Sequence, residues 1–285
     1  MQMKTINLTI IGDCACSTTR TYLAYLHRAG LRPKNLWLVN FGQASTGLKL
    51  ARKFLGWRRA DRMLGQRSSQ QQATDNNAAA FSAQLQTEAQ LEVVEFYNEW
   101  RPEALADKLE YFSATDFSDA LLQQRMLEAA DTAFLYTNGG IVPASLLANP
   151  KIRILHIHPG IVPEMRGSDC LLWSVLLRQR IGVSCFYMGS GIDDGAVIAQ
   201  QEFELPKLPS LRPFLSPKVE EQAYKALLFS IDPHYRAKLL VQILENDSNA
   251  DLRKLTTRVQ ASPVRPAYLW MHPRLRLKTM QESFL

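Results

Sequence analysis

The opening of the chain constrains its fold more than any other stretch. Ile6-Asn7-Leu8-Thr9-Ile10-Ile11 is apolar and β-branched enough to be a buried strand. Ser17 to Ala29 then reads as a helix, with Ser17 or Thr18 as N-cap and Gly30 as its stop, and Leu36-Trp37-Leu38-Val39-Asn40 reads as a second strand. Successive parallel strands need a crossover, and a helix supplies it, so this opening predicts a doubly wound, mostly parallel α/β sheet. The first strand-end turn, Gly12-Asp13-Cys14-Ala15-Cys16, lacks the G-x-G-x-x-G fingerprint, which excludes a nicotinamide-binding Rossmann site of the ordinary kind. Its position at a strand's C-terminal end still makes it a ligand-contact candidate.

At 285 residues, with 46% hydrophobic and 21% charged residues, the chain can bury a large core. The expected division is an α/β domain over residues 1–205, carrying an insertion near 42–90, and a smaller, mainly helical C-terminal extension over 206–285. The extension begins with a Pro-rich linker, LPKLPSLRPFLSP, followed by helices from Glu220 to Phe229 and from Pro233 to Glu245. No apolar run approaches the roughly 18 residues of a membrane span, and the first residues lead directly into a strand, so a cytoplasmic location is expected.

The formal charge of +6 is concentrated between Lys49 and Arg67, where seven basic residues face one acid, Asp61. Leu50, Phe54, Leu55, Trp57, Met63 and Leu64 interleave with them at helical spacing, which predicts a basic amphipathic helix with its apolar stripe on the core. Binding of an anionic substrate, a nucleic acid or a membrane surface is the other use for such a face. Residues 66–90 are rich in Gln, Ser, Asn and Ala and read as an exposed loop leading into a helix.

The chemistry-bearing stretch is Ile154-Leu155-His156-Ile157-His158-Pro159-Gly160. The β-branched run reads as a buried strand ended by Pro-Gly, and residues two apart on a strand face the same side, so both imidazoles can enter one pocket. A second strand, Gly182-Val183-Ser184-Cys185-Phe186-Tyr187-Met188, ends at Gly189-Ser190-Gly191 just before Asp193-Asp194-Gly195. An imidazole titrating near neutrality and a carboxylate to orient it form a minimal set for moving a proton during attack by an amine or water.

These segments, in this order, resemble the formyltransferase family that uses 10-formyltetrahydrofolate, which includes glycinamide ribonucleotide, methionyl-tRNA and sugar-amine formyltransferases. The family pattern Asn-x-His-Pro-Ser-Leu-Leu-Pro, followed by Arg-Gly, a Gly-Val-Thr strand and an Asp-x-Gly turn, is matched by His158-Pro159-Gly160-Ile161-Val162-Pro163, Arg166-Gly167, Gly182-Val183-Ser184 and Asp193-Asp194-Gly195. The resemblance implies His158 and Asp193 as catalytic residues. His156 stands where the family has Asn, and Phe186 where several members have a further His. A ring N–H of His156 can donate to a developing oxyanion as the carboxamide would.

The resemblance further implies N10-formyltetrahydrofolate as formyl donor and a small-molecule amine, such as an amino sugar or amino-acid-derived amine, as acceptor. No nucleic-acid partner is expected, and a homodimer is compatible with the sequence. A strand over Ala133-Phe134-Leu135-Tyr136-Thr137 ends at Asn138-Gly139-Gly140, whose glycines permit close approach to a flat ligand. The family's comparable loop lies along the pterin, so Asn138, Gly139, Gly140, Ile141 and Val142 are the cofactor-contact candidates. The alternatives are a folate-dependent hydrolase and a non-catalytic binding protein that keeps the fold.

Cys14 and Cys16 have no further Cys/His cluster nearby, and Cys170 and Cys185 read as packing residues, so neither a metal nor thiol chemistry is expected. His234 and His272 lack a nearby carboxylate or ligand pattern and read as surface or capping histidines.

Overall fold

The computed structural model describes residues 3–13, 16–42, 46–71, 76–92, 101–246, 251–263 and 265–285. In chain order its elements are β1 (Lys4–Asp13), α1 (Ser17–Arg28), β2 (Leu31–Phe41), α2 (Thr46–Leu55), α3 (Trp57–Gln71), α4 (Asn76–Glu88), β3 (Lys108–Ala114), α5 (Ala120–Glu128), β4 (Ala133–Tyr136), α6 (Ala144–Leu147), β5 (Ile154–His158), α7 (Cys170–Arg178), β6 (Ile181–Tyr187), β7 (Val197–Phe203), α8 (Glu220–Ser230), α9 (Asp232–Asn246) and α10 (Pro273–Ser283). The chain divides into two compact units: Met1–Asp75 with Phe96–His156 and Asp247–Leu255, and Asn76–Glu95 with Ile157–Asn246 and Thr256–Leu285.

In the first unit the strand order is β3-β2-β1-β4-β5, and every pairing is parallel. The order reverses direction at β1, the signature of a doubly wound sheet, and places the ends of β1 and β4 at the switch point where such sheets bind ligands. Leu8, Ile10, Ile11, Leu36, Val39, Phe134 and Leu135 are completely or almost completely buried, as parallel strands covered on both faces require. Trp37 joins them, its ring 5.3 Å from Phe112 and 5.8 Å from Phe134.

The basic segment forms two helices rather than one. Gly56, at φ +73°, ends α2 and lets α3 start on a new axis, a conformation that an L side chain would resist. Asp61, the segment's sole acid, is fully buried and accepts from Arg52 Nε at 2.8 Å, Arg52 Nη2 at 2.7 Å and Ser113 N at 2.9 Å. Its hydrogen bond holds the Arg52 guanidinium above its ordinary range. The pair therefore ties α2 and α3 to β3, while Leu50 and Phe54 remain exposed.

In the second unit β6 and β7 form an antiparallel pair. α4 belongs here: it is the helix expected to follow the loop in 66–90, and it buries Leu85 and Gln86, while in the first unit α3 runs on to Gln71 over the part expected to be loop. Its run of alanines favours helix despite the polar composition of the stretch. α8 and α9 form where the sequence predicts them. His234 corrects the sequence expectation: it is fully buried in α9, because the helix that carries it is covered by its own unit. His272 does cap, its Nδ1 accepting from Arg274 N at the start of α10.

Candidate active site

The catalytic candidates sit on the second unit's loops and on the end of β5. His158 is the last residue of β5 and is 3% exposed. Its Nε2 lies 3.0 Å from the Met165 carbonyl oxygen, and a carbonyl only accepts, so Nε2 carries the proton. In the neutral ring Nδ1 is then the basic nitrogen, and it faces Asp193 Oδ2 at 3.6 Å. Burial pushes the imidazole's pKa below its ordinary value, against the raising effect of Asp193 and of the Met165 bond. The site thus keeps an uncharged base beside a carboxylate.

Asp193 owes its place to the turn that carries it. Its backbone adopts φ +51°, an αL conformation that costs a non-glycine residue roughly 1–2 kcal/mol. A Cβ at Gly195 would stand 1.5 Å from the Tyr187 carbonyl oxygen, so only glycine lets the turn close on the end of β6. Oδ2 of Asp193 accepts from Gly167 N at 2.9 Å. Gly167, at φ +99°, packs its Cα where a Cβ would meet Tyr268 O at 2.2 Å. The Arg-Gly and Asp-Asp-Gly motifs are therefore parts of one support for one carboxylate.

Around the base, Ser184 Oγ donates to Gly160 O at 2.6 Å and accepts from Val162 N at 3.1 Å, fixing the loop after β5. Phe186 packs with Val162 and Val197 in a buried apolar cluster, its ring centroid 6.3 Å from that of His158. It therefore lines the base with hydrocarbon. Arg236 bonds Asp232 at 2.6 Å, and its Nη1 lies 3.5 Å from the Ile157 carbonyl oxygen, anchoring the end of β5 with a buried ion pair. Sequence reasoning missed both residues, since an Asp-x-x-x-Arg spacing on a helix ordinarily signals a surface pair.

His156 is half-buried, on the side of β5 that strand alternation assigns to His158. His158 and Asp193, an imidazole and a carboxylate 3.6 Å apart, are ligand types that a divalent cation accepts, although two donors alone do not make a metal site. The cysteines Cys16, Cys170 and Cys185 are free thiols, and burial pushes Cys185 up to about 12. Cys14 lies outside the described residues.

In the first unit, the loop after β4 presents Gly139, Gly140 and Ile141 at the surface, Ile141 at 90% exposure. Tyr136 Oη donates to Gly139 O at 2.9 Å, and Thr137 Oγ1 donates to Asn138 Oδ1 at 3.1 Å. Burial, with Asp13 and Cys16 nearby, pushes Tyr136 up to about 12, so it remains a donor. Val142 instead turns into the core. Open space stands where a Gly139 Cβ would be, which leaves backbone and one apolar side chain facing outward, a surface suited to a flat heterocycle.

The sheet is of the doubly wound α/β class, in which ligands bind outside the carboxyl ends of the strands, and the His158–Asp193 pair lies on the end of β5 and the loop after β6. The family model described as formyl transferase matches residues 63–229, more than half of the chain, and the chain belongs to that family. A methionyl-tRNA formyltransferase of Syntrophus aciditrophicus is 32% identical over 69 residues, covering 24% of this chain and 22% of that protein. Another, of Fusobacterium nucleatum, is 27% identical over 104 residues, covering 36% of this chain and 34% of its own. The chain thus matches about a fifth to a third of the length of these relatives. Among solved structures, glycinamide ribonucleotide transformylase 1 of Symbiobacterium toebii aligns at TM-score 0.44 and 14% identity, over 91% of this chain and 95% of that one. A sugar N-formyltransferase of Shewanella aligns at 0.41 and 12%, over 98% and 88%. Among the described residues no helix is long and apolar enough to cross a membrane.

Proposed function

We propose that this protein transfers the formyl group of N10-formyltetrahydrofolate to the amine of a small acceptor, with His158 as base, Asp193 as its charge partner and His156 as donor to the formyl oxygen. The observation that carries this reading is the state of His158, a buried imidazole whose Nε2–H is committed to Met165 and whose basic Nδ1 faces a carboxylate oxygen at 3.6 Å. The bound donor supplies an activated formyl carbon. Asn138, Gly139, Gly140, Ile141 and Val142 form the loop proposed to hold it, the glycines and Ile141 against the flat ring and Val142 as the loop's buried anchor.

As the acceptor nitrogen bonds to the formyl carbon it becomes acidic, and Nδ1 of His158 takes its proton. Asp193 then faces an imidazolium instead of a neutral ring, so its attraction grows toward the transition state, as catalysis requires. His156 donates a ring N–H to the oxygen on which negative charge develops, replacing the family's carboxamide. His158 returns its proton to the departing nitrogen as the C–N bond to the donor breaks. The acceptor proposed is an amino sugar or an amino-acid-derived amine.

The substitution at His156 favours a second reading in which the same pair activates water and releases formate. Incubating the protein with the donor and a panel of amines separates them. Formylated amine detected by mass spectrometry supports transfer, whereas formate release at the same rate with and without amines supports hydrolysis. Replacing His158 or Asp193 by Ala is expected to slow transfer by roughly 10²–10⁴-fold.

A further inference from the structure

The chain's C-terminal segment crosses the support of Asp193 repeatedly, in ways the catalytic motifs do not require. Arg258 pairs with Val197 through two backbone hydrogen bonds of 2.8 Å. Two residues on, the Gln260 side chain donates from Nε2 to Asp193 O at 2.9 Å and to Gly195 O at 2.7 Å. Further along, Tyr268 N donates to Arg166 O at 2.6 Å and Tyr268 O accepts from Ser168 N at 2.9 Å, bracketing Gly167. Gly167 N is the donor that holds Asp193 Oδ2. The Tyr268 ring stacks on Trp173 at 4.8 Å, Trp173 Nε1 donates to Leu269 O at 3.0 Å, and Met271 N donates to Asp169 Oδ2 at 2.7 Å. Arg166 joins the two loops from its side, with Nη1 on Ile192 O at 3.2 Å and Nη2 on Arg265 O at 3.4 Å.

We propose that the segment from Arg258 to Met271 is a strap that sets the catalytic carboxylate, with Gln260 as the positioning residue for Asp193. The proposal rests on the reading of Asp193 as partner of the base. A primary amide has two N–H donors, and Gln260 spends its nitrogen on the two carbonyls that flank Asp194. One side chain thereby closes the turn at both ends. The rest of the turn's support is local or comes from Arg166 and Gly167: Gly191 N donates to Asp194 Oδ2 at 3.0 Å, Arg166 Nη1 to Ile192 O at 3.2 Å and Gly167 N to Asp193 Oδ2 at 2.9 Å, and none of these ties the Asp193 and Gly195 carbonyls to each other as Gln260 does. Gln260 touches neither reacting group, so its effect passes through the position of the carboxylate, and small displacements there weigh heavily on rate. On the other side Tyr268 fixes the backbone of Arg166 and Ser168.

The test is Gln260→Met, which keeps the side chain's length and removes both donors, beside Gln260→Lys, which restores N–H donors at similar reach. In Gln260→Met, kcat for formyl transfer should fall by roughly 10²-fold with little change in KM, since positioning of a catalytic group is lost and binding is kept. Gln260→Lys should recover part of that loss. Independently of any turnover, an NMR titration of the His158 ring should move to lower pH in Gln260→Met, because the carboxylate that favours the imidazolium has moved away. Amide exchange over residues 189–196 should also quicken. A His158 titration identical to that of the wild type, or a loss of activity accompanied by an equal loss in both variants and a general fall in Tm, overturns the proposal. If the wild type transfers no formyl group yet the His158 titration shifts as described, the functional reading fails and the positioning role stands.

Discussion

Asp193→Asn isolates the electrostatic part of the site. The amide oxygen of Asn can still accept from Gly167 N, so the turn keeps its support while the negative charge disappears. Asp193 Oδ2 lies 3.6 Å from His158 Nδ1, and both side chains are largely buried, at 18% and 4% exposure. At that separation, an imidazolium and a carboxylate attract by roughly 4 kcal/mol at an effective dielectric of about 20. In the mechanism proposed above, the charge on His158 arises only as the acceptor gives up its proton, so most of this attraction is realised in the transition state. The expected loss in kcat/KM is therefore about 10²–10³-fold, at about 1.4 kcal/mol per decade. The assay is steady-state formyl transfer from N10-formyltetrahydrofolate, followed as a function of pH. In the wild type the acid limb should fall below the ordinary His value of about 6.5, because burial disfavours the charged ring. In Asp193→Asn the limb should move lower still, as the raising influence of Asp193 is removed. A rate within a few-fold of wild type, or an acid limb that does not move, refutes the reasoning.

Stability should carry the same signature. The folded-state pKa of His158 is depressed, so the unfolded chain takes up a proton first as pH falls; the contribution is present above about 6.5 and is lost below it toward the folded pKa. Urea unfolding at pH 7 and pH 5.5 should show this loss in the wild type and a smaller one in His158→Gln, and equal losses would contradict it. Asp61→Ala leaves Arg52 without its buried partner and should destabilise by about 3–5 kcal/mol in urea, while Lys53→Ala on the exposed face should change little. Gly195→Ala forces a Cβ to within 1.5 Å of Tyr187 O and should lower stability by roughly 3 kcal/mol with loss of transfer; a wild-type unfolding midpoint would show that the turn is not packed as described. Dialysis against a chelator should leave the transfer rate unchanged, and loss restored by one divalent cation would contradict a metal-free role for His158 and Asp193.

The parallel core was legible because strand, helix and strand followed one another with apolar β-branched runs and a stopping glycine, as in Ile6–Ile11, Ser17–Arg28 and Leu36–Asn40. The pair of His158 and Asp193 was legible because His158 ends a β-branched strand at Pro-Gly and Asp193 sits in the glycine-bearing turn that follows the next apolar strand. The insertion was harder. Gln and Ser content pointed to a loop at the start of 66–90, where α3 runs on to Gln71 before the expected helix, Asn76–Glu88, and periodicity across Gly56 concealed a break between two helices. Burial of His234 and of the Asp232–Arg236 pair depends on contacts of α9 within its unit, to which local pattern is blind. The same is true of the strap. VRPAYLWMHPRLRLKTM reads as a basic, aromatic tail, and only the contacts of Tyr268 with Arg166 and of Met271 with Asp169, together with those of Arg258 with Val197 and Gln260 with Asp193 just before it, show what Gln260 and Tyr268 hold.

The most direct test of the account is a single-turnover reaction of the wild type and of His158→Ala with N10-formyltetrahydrofolate and an amine acceptor found by panel screening. Each protein is first checked for folding and for thermal stabilisation by a reduced-folate analogue, which any ligand that binds the folded state should confer. The account predicts formylated amine from the wild type, and from His158→Ala equal stabilisation with transfer slowed by at least about 10²-fold. Transfer at the wild-type rate by a folded His158→Ala, or stabilisation of the wild type by the analogue with neither formylated amine nor formate formed, would contradict it.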